Sequence, residues 1–289
     1  MSLTIKQAVL QATSRLAEEG IAGPKLDAEV LLCHLLHKER TYLIVNSAKT
    51  LDQELVEAYR ALVEERAMGK PIPYITGKKE FMGLTIRVNP SVLIPRADTE
   101  TMAEEAIETL CEGKYGIGGP SVLDLCCGSG AIGVSIAKLM QRVKVTGADI
   151  SAEALAVAME NAKLNKVKKK MKFVQGDLFG AVKKSARFDL IITNPPYIKT
   201  QTITQLQREI RNFEPRLALD GGEDGMDFYR RILPEAAGHL KKNGMLFMEI
   251  GYDQGEAVKK LAEATGLYKE VSLLPDLAGF DRIIRACRA

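Results

Sequence analysis

A glycine-rich segment near the middle of the chain places the strongest constraint on what the chain can fold into. Gly128, Gly130 and Gly133 have the spacing GxGxxG, and they follow an apolar run and precede a stretch of helical periodicity. A glycine turn between a strand and a helix lets the backbone approach a ligand closely and exposes free N–H groups at the start of the helix. The segment therefore predicts an α/β domain with a binding site at the end of its first strand.

Apolar strands and helical segments alternate from Ser121 to the end of the chain. Seven strands are predicted, at residues 122–126, 143–148, 172–175, 189–193, 245–250, 270–274 and 282–286. The alternation favours right-handed crossovers and a mostly parallel sheet that helices cover on both faces. The last two strands have only a loop between them, so we expect them to pair as an antiparallel hairpin at the sheet edge.

Residues 1–75 have a different pattern, in which apolar residues recur at helical spacing and glycines separate the stretches. We predict a small helical-bundle domain in this part of the chain. One of its helices is expected to begin with a capping box, in which the side chains of Thr50 and Gln53 bond to each other's backbone N–H groups.

Prolines separate this domain from the α/β domain. The segment Pro71-Ile-Pro73 interrupts the helical pattern and marks the transition to the linker. We assign residues 76–95 to a linker that contains a β-hairpin, with alternation from 83 to 94 and a turn at Asn89-Pro90. The remaining residues, 96–289, form the α/β domain.

Composition argues against several classes of protein. The chain has 40 basic and 37 acidic residues, a formal net charge of +3 and no tryptophan, which is unlike a protein that wraps nucleic acid or stacks on bases. The first 80 residues carry 11 basic and 11 acidic side chains, so the helical domain is neutral. We expect no direct nucleic-acid partner.

The numbers and spacing of cysteines and histidines restrict the cellular compartment and the kinds of metal or redox site that the sequence predicts. Five cysteines without CxxC spacing and three histidines predict neither a disulfide framework nor a metal site, and a reducing compartment fits them best. No apolar run approaches the roughly 20 residues of a membrane helix, and the N-terminus lacks a targeting pattern. These features predict a soluble cytoplasmic protein with no membrane partner.

Acidic residues follow the next two predicted strands. Asp149 lies 21 residues after Gly128, where a carboxylate can accept both hydroxyl hydrogens of a ribose. NAD, FAD and S-adenosylmethionine all fit this arrangement. Asp177 follows the third strand, where it can accept from the exocyclic amine of adenine while Leu178 packs on the ring, although an Asp there is equally often a helix cap.

The motif Asn194-Pro195-Pro196-Tyr197 narrows the chemistry. It follows the predicted strand 189–193, which we expect beside the first strand, at the switch point where ligands bind in such sheets. Two prolines fix the backbone and remove two N–H donors. Backbone carbonyls and the Asn194 amide are then left as acceptors at the edge of the pocket, which suits a planar –NH2 group.

An amide or aromatic –NH2 group is a poor nucleophile because its lone pair is delocalised. If Asn194 Oδ1 and the Pro195 carbonyl accept its two hydrogens, they orient the nitrogen and favour the positive charge that it develops. Positioning of the nitrogen in line with the methyl group of a sulfonium donor supplies most of the remaining rate enhancement. The motif therefore predicts amino-group methylation, with Asn194, Pro195 and Tyr197 as the catalytic residues, and a dehydrogenase has no use for it.

The sequence resembles the protein N5-glutamine methyltransferases that modify peptide-chain release factors, the HemK/PrmC family. The resemblance extends over almost the full length. Further segments that carry it are Ile94–Glu100, Glu214–Arg216, Leu219–Gly222, Asp224-Gly225, Glu249–Gly255 and Asp276–Arg282. Cys126 and Cys127 stand where this family more usually has Gly and Thr.

The resemblance implies a Rossmann-like, seven-stranded class I methyltransferase sheet with a small N-terminal helical-bundle domain that helps to dock the release factor. It implies S-adenosyl-L-methionine as donor, S-adenosyl-L-homocysteine as product, and the glutamine of the release factor's Gly-Gly-Gln loop as acceptor. The cofactor-binding residues are then Cys126, Cys127, Gly128, Ser129, Gly130, Asp149, Asp177, Leu178 and Asn194. The substrate-binding residues are Asn194, Pro195, Pro196 and Tyr197.

Two other functions stay open at this point. DNA adenine-N6 methyltransferases use a similar Asn/Asp-Pro-Pro-Tyr motif, but they need a basic target-recognition element and must flip the base. A non-catalytic adaptor for translation factors is the second alternative, and the intact Asn194, Gly128, Gly130 and Asp149 count against it.

Overall fold

The computed structural model describes residues 3–289, which divide into two compact units. The helical unit contains the residues up to Gly77 together with the segment Gln207–Phe213. The sheet unit contains Lys78–Leu206 and Glu214–Ala289.

Helices and strands are numbered in chain order. The α-helices are α1 Ile5–Glu18, α2 Pro24–Leu36, α3 Arg40–Val45, α4 Gln53–Ala67, α5 Ile72–Thr76, α6 Ala97–Glu112, α7 Ala131–Leu139, α8 Ala152–Leu164, α9 Arg208–Phe213, α10 Asp227–His239 and α11 Gly255–Ala264. The strands are β1 Lys78–Phe81, β2 Leu84–Arg87, β3 Ser121–Leu125, β4 Lys144–Asp149, β5 Met171–Gln175, β6 Phe188–Thr193, β7 Leu240–Glu249, β8 Tyr268–Pro275 and β9 Asp281–Arg288. Short 3-10 turns lie at Lys168–Lys170, Leu178–Ala181, Thr202–Gln205 and Arg216–Ala218.

The helical unit packs the apolar faces of its first helices into a core of its own. The central side chains of this core include Leu16, Leu31 and Leu32, which have no exposed surface. The buried Tyr59 of α4 donates its hydroxyl to the carbonyl of Ala28 in α2. Burial of apolar surface therefore holds these helices together.

Helix α4 begins with a different cap from the predicted one. Asp52 is the N-cap, and its carboxylate accepts the backbone N–H of Leu55 at 2.8 Å. The predicted capping box of Thr50 and Gln53 is therefore wrong. Thr50 instead pairs with Thr4 in an isolated antiparallel bridge, and Asp52, directly before the helix, reaches the third N–H.

A buried arginine joins three segments of the helical unit. Arg66 of α4 is only 4% exposed. Its guanidinium donates to Asp27 of α2 at 2.7 Å and to Glu209 of α9 at 2.5 Å. Two carboxylates thus compensate one buried cation, and α9 is held against α2 and α4 by this cluster.

The sheet unit is built on a seven-stranded sheet with the order β5-β4-β3-β6-β7-β9-β8. The first five strands in this order are parallel, whereas β9 is antiparallel to both β7 and β8. The predicted α/β class and the antiparallel edge hairpin are confirmed. Because β3 lies between β4 and β6, the loops after these three strands meet at one edge of the sheet.

The small hairpin before α6 differs from the prediction. Its strands are β1 and β2, which pair antiparallel around a turn at Met82-Gly83. Both turn residues have a positive φ, 50° and 70°, as the common two-residue hairpin turn requires. Asn89-Pro90 does lie in a turn, in which the N–H of Val92 donates to the carbonyl of Asn89 at 3.1 Å, but this turn follows β2 and does not connect the strands of the hairpin.

The central strands form a rigid frame for the loops. Leu123 of β3, Ile191 of β6 and Leu246 of β7 have no exposed surface, as expected for parallel strands that are covered on both faces. Within residues 3–289, no helix combines the length and the apolarity that crossing a membrane requires.

Candidate active site

The glycine turn connects the end of β3 to the start of α7. Gly128 and Gly130 have φ values of 52° and 74°, a region that favours glycine. A Cβ on Gly130 would also lie 2.9 Å from the Cβ of Ala158 in α8, whereas a Cβ on Gly128 would meet nothing within 4 Å. Gly130 therefore allows the helices to pack closely, and Gly128 leaves open space above the turn.

Asp149, the last residue of β4, is fixed against this turn. Its Oδ2 accepts the N–H of Gly128 at 2.8 Å, and its Oδ1 accepts the N–H of Ser151 at 3.0 Å. Two backbone donors thus orient the carboxylate. Each oxygen keeps a further lone pair, with which it can accept a ligand hydroxyl.

The two adjacent cysteines connect the end of β3 to Gly128. Cys126 has a φ of 58°, a conformation that a residue with a Cβ rarely adopts. Burial raises the pKa of the Cys126 thiol to about 12, and it also raises the pKa of Cys127. Both side chains stay protonated at neutral pH, so they act as small apolar groups rather than nucleophiles.

The loop after β5 contributes Asp177 and Leu178. Leu178 is buried, whereas the Asp177 carboxylate pairs with the guanidinium of Arg231 in α10 at 2.5 Å. The sequence prediction did not include Arg231, which is 54 residues from its partner. No local pattern indicates such a pair, because it depends on where α10 packs.

The Asn-Pro-Pro-Tyr motif follows β6, beside the glycine turn. Thr193 and Leu125, the last residues of β6 and β3, are paired in the parallel sheet. This pairing places the start of the motif at the predicted switch point. The carbonyl of Tyr197 accepts from the amide of Gln254 at 3.1 Å, and the hydroxyl of Tyr197 donates to Glu249 at 3.1 Å.

A network of buried polar groups supports the motif from behind. Glu249, the last residue of β7, is 2% exposed and accepts from the hydroxyl of Thr99 at 2.6 Å. Asn194 Nδ2 donates to the same hydroxyl oxygen at 3.4 Å. Three distant segments, α6, β7 and the loop after β6, thus meet at the Thr99 hydroxyl.

Arg96 adds a charge at the edge of the same site. Its guanidinium donates to the buried carboxylate of Glu214 at 2.6 Å, and the other oxygen of Glu214 accepts the N–H of Ile94. The neighbouring Asp98 and Glu100 have different partners, Arg282 and the N–H of Met82. These three charged residues therefore do not form one cluster.

The turn and the motif line one cavity of about 460 Å³, a volume suited to a small organic ligand. All of its lining residues belong to the sheet unit. Of the predicted site residues, those in the lining are Cys126, Cys127, Gly128, Ser129, Asp149, Asp177, Leu178, Asn194 and Pro196. Gly130, Pro195 and Tyr197 are not among its lining residues. Over residues 3–289 there is no group of three His, Cys, Asp or Glu side chains that could hold a metal ion.

The sheet unit resembles solved methyltransferases in its fold. The crystal structure of a methyltransferase from Pyrococcus furiosus superimposes with a TM-score of 0.52 at 19% sequence identity. The match covers 71% of this chain and 89% of that chain. At this identity the likeness concerns the fold alone.

Family models and curated relatives are more specific. A family described as "PrmC N-terminal domain" matches residues 7–77, and one described as "Methyltransferase small domain" matches residues 118–223. The release factor glutamine methyltransferase of Moorella thermoacetica is 43% identical, over 99% of this chain and 99% of the relative. That of Geobacter sulfurreducens is 40% identical, over 97% of this chain and 95% of the relative. Near full-length identity at this level confirms the resemblance that the motifs indicated: the chain belongs to the family of release factor glutamine methyltransferases.

Proposed function

We propose that this chain transfers a methyl group from S-adenosylmethionine to the side-chain amide nitrogen of a glutamine, the one in the Gly-Gly-Gln loop of peptide chain release factors. The observation that carries the proposal is the position of Asn194, whose amide lines the same cavity as Asp149 and Gly128. A nucleoside site and an acceptor for an –NH2 group thus share one cavity.

The cavity has the groups that S-adenosylmethionine needs. Asp149 holds spare lone pairs for the ribose hydroxyls, and the open space above Gly128 admits the ligand close to the backbone. Leu178 offers an apolar surface for the adenine, and Asp177 an acceptor for its amine. Gly130 contributes by shaping the turn. The cavity is also lined by Cys126, Cys127 and Ser129.

When bound, S-adenosylmethionine supplies a methyl group whose bond to sulfur breaks with its electron pair, leaving S-adenosylhomocysteine. The glutamine nitrogen uses its lone pair for the new bond to carbon and then releases one of its two protons to water. Asn194 Oδ1 and the Pro195 carbonyl accept hydrogens from this nitrogen, orienting it and stabilising its positive charge. Pro196 stiffens the loop, and Tyr197 anchors it through Glu249.

The helical unit is the proposed docking domain, comprising residues 1–75 in the sequence assignment. The first 80 residues of the chain are electrically neutral, with 11 basic and 11 acidic side chains, which suits a folded protein partner better than a nucleic acid. We also propose a cytoplasmic reaction without a membrane partner, since release factors act there.

A labelling experiment tests the proposal. Methyl-labelled S-adenosylmethionine is offered with the intact release factor, with its Gln→Ala loop variant, or with duplex DNA. We expect label on the intact factor alone. Label on DNA would favour an adenine methyltransferase, and no label on any of the three would favour a non-catalytic adaptor.

Two variants separate the roles of the site residues. Asn194→Ala should reduce transfer by roughly 100-fold or more, since an acceptor that acts in the transition state is lost, yet largely spare cofactor binding in calorimetry. Asp149→Ala, the matched control, should instead weaken cofactor binding. Equal loss of binding and transfer in Asn194→Ala would show that its role is misassigned.

A further inference from the structure

Thr99 occupies a position from which it controls the amide of Asn194. We propose that Thr99 is a positioning residue, which fixes the orientation of the Asn194 side chain because the buried carboxylate of Glu249 fixes the direction of the Thr99 hydroxyl. The inference rests on the proposed function and concerns the same site. Thr99 lies in the first turn of α6 and is 4% exposed.

The direction of each hydrogen bond follows from the chemistry of the groups. An ionised carboxylate only accepts, so the single hydroxyl proton of Thr99 is donated to Glu249, over 2.6 Å. The Thr99 oxygen can then only accept from its other neighbour. That neighbour is the amide of Asn194, 3.4 Å away, which must present its Nδ2.

This orientation is the one that the reaction needs. With Nδ2 committed to Thr99, Oδ1 is the amide atom left for a ligand in the cavity, and it can accept a hydrogen from the substrate –NH2 group. The reversed amide would present N–H groups to another N–H donor, which is unfavourable. Thr99 thus fixes which of the two amide atoms of Asn194 faces the ligand, and that atom is the acceptor Oδ1.

Each carboxylate oxygen of Glu249 accepts from a hydroxyl group, and the two hydroxyls belong to different elements. Its Oε2 accepts from Thr99 in α6, and its Oε1 accepts from Tyr197 in the motif itself at 3.1 Å. Glu249 is thereby linked to both ends of the motif, directly to Tyr197 and through Thr99 to Asn194. This dual link distinguishes it from a carboxylate that merely ends a strand.

The charged groups around Glu249 set its protonation. Burial and the charge of Asp98 in α6 raise the pKa of Glu249. The two hydroxyl bonds and the charge of Arg282 in β9 lower this pKa, and the net effect is an increase. Arg282 is itself held by Asp276 at 3.0 Å. Once protonated, Glu249 can donate to Thr99, which frees the Thr99 proton for Asn194 and lets the amide turn. Transfer should therefore fail on the acid side, beginning at a higher pH than an ordinary Glu would give.

Substitution of Thr99 tests the hydroxyl. Thr99→Val should lower kcat for release-factor methylation by roughly 10- to 100-fold, with cofactor affinity and KM little changed. Thr99→Ser keeps the hydroxyl and should restore most of the rate. Thr146→Val replaces an equally buried threonine in β4, away from the cavity, and should behave as wild type. Wild-type kcat in Thr99→Val, or cofactor affinity falling in parallel with kcat, would overturn the proposal.

The pH profile tests the carboxylate. The acid limb of kcat should disappear in Glu249→Gln, which cannot titrate, and the rate should fall because the new amide can either donate or accept at Thr99. An acid limb unchanged in Glu249→Gln contradicts the role of Glu249.

A second measurement does not depend on the substrate. The side-chain NH2 signals of Asn194 in a nitrogen-15 spectrum, identified by their loss in Asn194→Ala, should titrate with acid in the wild type but not in Glu249→Gln. They should also shift in Thr99→Val. Unchanged signals would refute the positioning role of Thr99, whether or not the wild type methylates the release factor. Failure of the wild type to methylate the release factor would instead count only against the proposed function.

Discussion

Asp124 is a buried carboxyl directly beneath the glycine turn. It is 1% exposed, and its Oδ2 accepts the N–H of Gly133 at 2.9 Å, while its Oδ1 has no partner among residues 3–289. Burial raises the pKa of Asp124 to about 7, the Gly133 N–H lowers it, and the nearby Asp149 raises it further. The free protein thus holds a carboxyl that titrates near neutral pH.

This titration predicts a loss of stability with rising pH. An unfolded Asp ionises near pH 3.8, whereas the folded one keeps its proton up to about pH 7. Between these values the native state binds the additional proton, so the free energy of unfolding should fall by about 1.4 kcal/mol per pH unit. Urea unfolding of the cofactor-free protein from pH 5 to pH 8 should show this slope up to about pH 7 and a plateau above it, and Asp124→Asn should flatten the sloping part.

Asp189→Asn is the control for this measurement. The pKa of Asp189 is lowered overall, because bonds from Lys241 and Ser121 outweigh its burial. Its contribution is therefore constant above pH 5, and the variant should lose stability equally across the range. If Asp124→Asn kept the wild-type slope, another group would be responsible.

Single residues also show what a sequence leaves undetermined. The residue types around the turn predicted a nucleoside site, because glycines and a strand-end carboxylate have few other uses in that order. The backbone of Cys126 was not predictable, since its φ of 58° is one that residues with a Cβ usually avoid. It accounts for the glycine that is more usual at this position in the family.

At the scale of elements, Gln254 joins several loops around the motif. Its Oε1 accepts from the hydroxyl of Tyr229 in α10 and from the N–H of Gly251, at 2.9 and 3.0 Å. Its Nε2 donates to the carbonyls of Tyr197 and Gly225, at 3.1 and 3.3 Å. All four bonding positions of one buried amide are thus used.

Gln254→Leu should therefore destabilise the sheet unit and slow methyl transfer together. The substitution leaves several buried polar groups without partners, at about 1–3 kcal/mol each, so a loss of roughly 3 kcal/mol in urea unfolding is expected. Gln175→Leu removes one bond from an exposed side chain and should cost less than about 1 kcal/mol. A Gln254→Leu protein as stable as the Gln175→Leu protein would show that the amide does not hold these loops.

The elements differ in how far the sequence determines them. The strands of the large sheet were predictable to within a few residues at most ends, because buried parallel strands are continuous apolar runs between helical segments. The hairpin register was not, since it depends on Met82 adopting a positive φ. The contacts of Thr99, Glu249 and Gln254 with the motif span 95, 52 and 57 residues of sequence, and no local pattern encodes them.

The whole molecule has two cores, and only one of its units contains the cavity. The helical unit has its own apolar cluster and the charge cluster of Arg66, Asp27 and Glu209. Every residue that lines the cavity belongs to the sheet unit. A ligand that binds only the native sheet unit stabilises it by mass action, by about 2.7 kcal/mol at 100 times its Kd.

Removal of the Arg66 cation should make the two units unfold at different temperatures. Arg66→Met leaves Asp27 and Glu209 without their shared partner, and loss of one member of a buried ion cluster costs about 3 kcal/mol or more. Differential scanning calorimetry of the variant should therefore show an early transition of the helical unit, followed by that of the sheet unit. Saturating S-adenosylhomocysteine should raise the temperature of the second transition by several degrees and leave the first unchanged.

Arg40→Met, which removes an exposed pair with Glu29, should keep the wild-type profile, because such pairs contribute less than about 1 kcal/mol. If S-adenosylhomocysteine raised both transitions of Arg66→Met equally, the helical unit would draw its stability from the ligand-binding unit rather than from its own core.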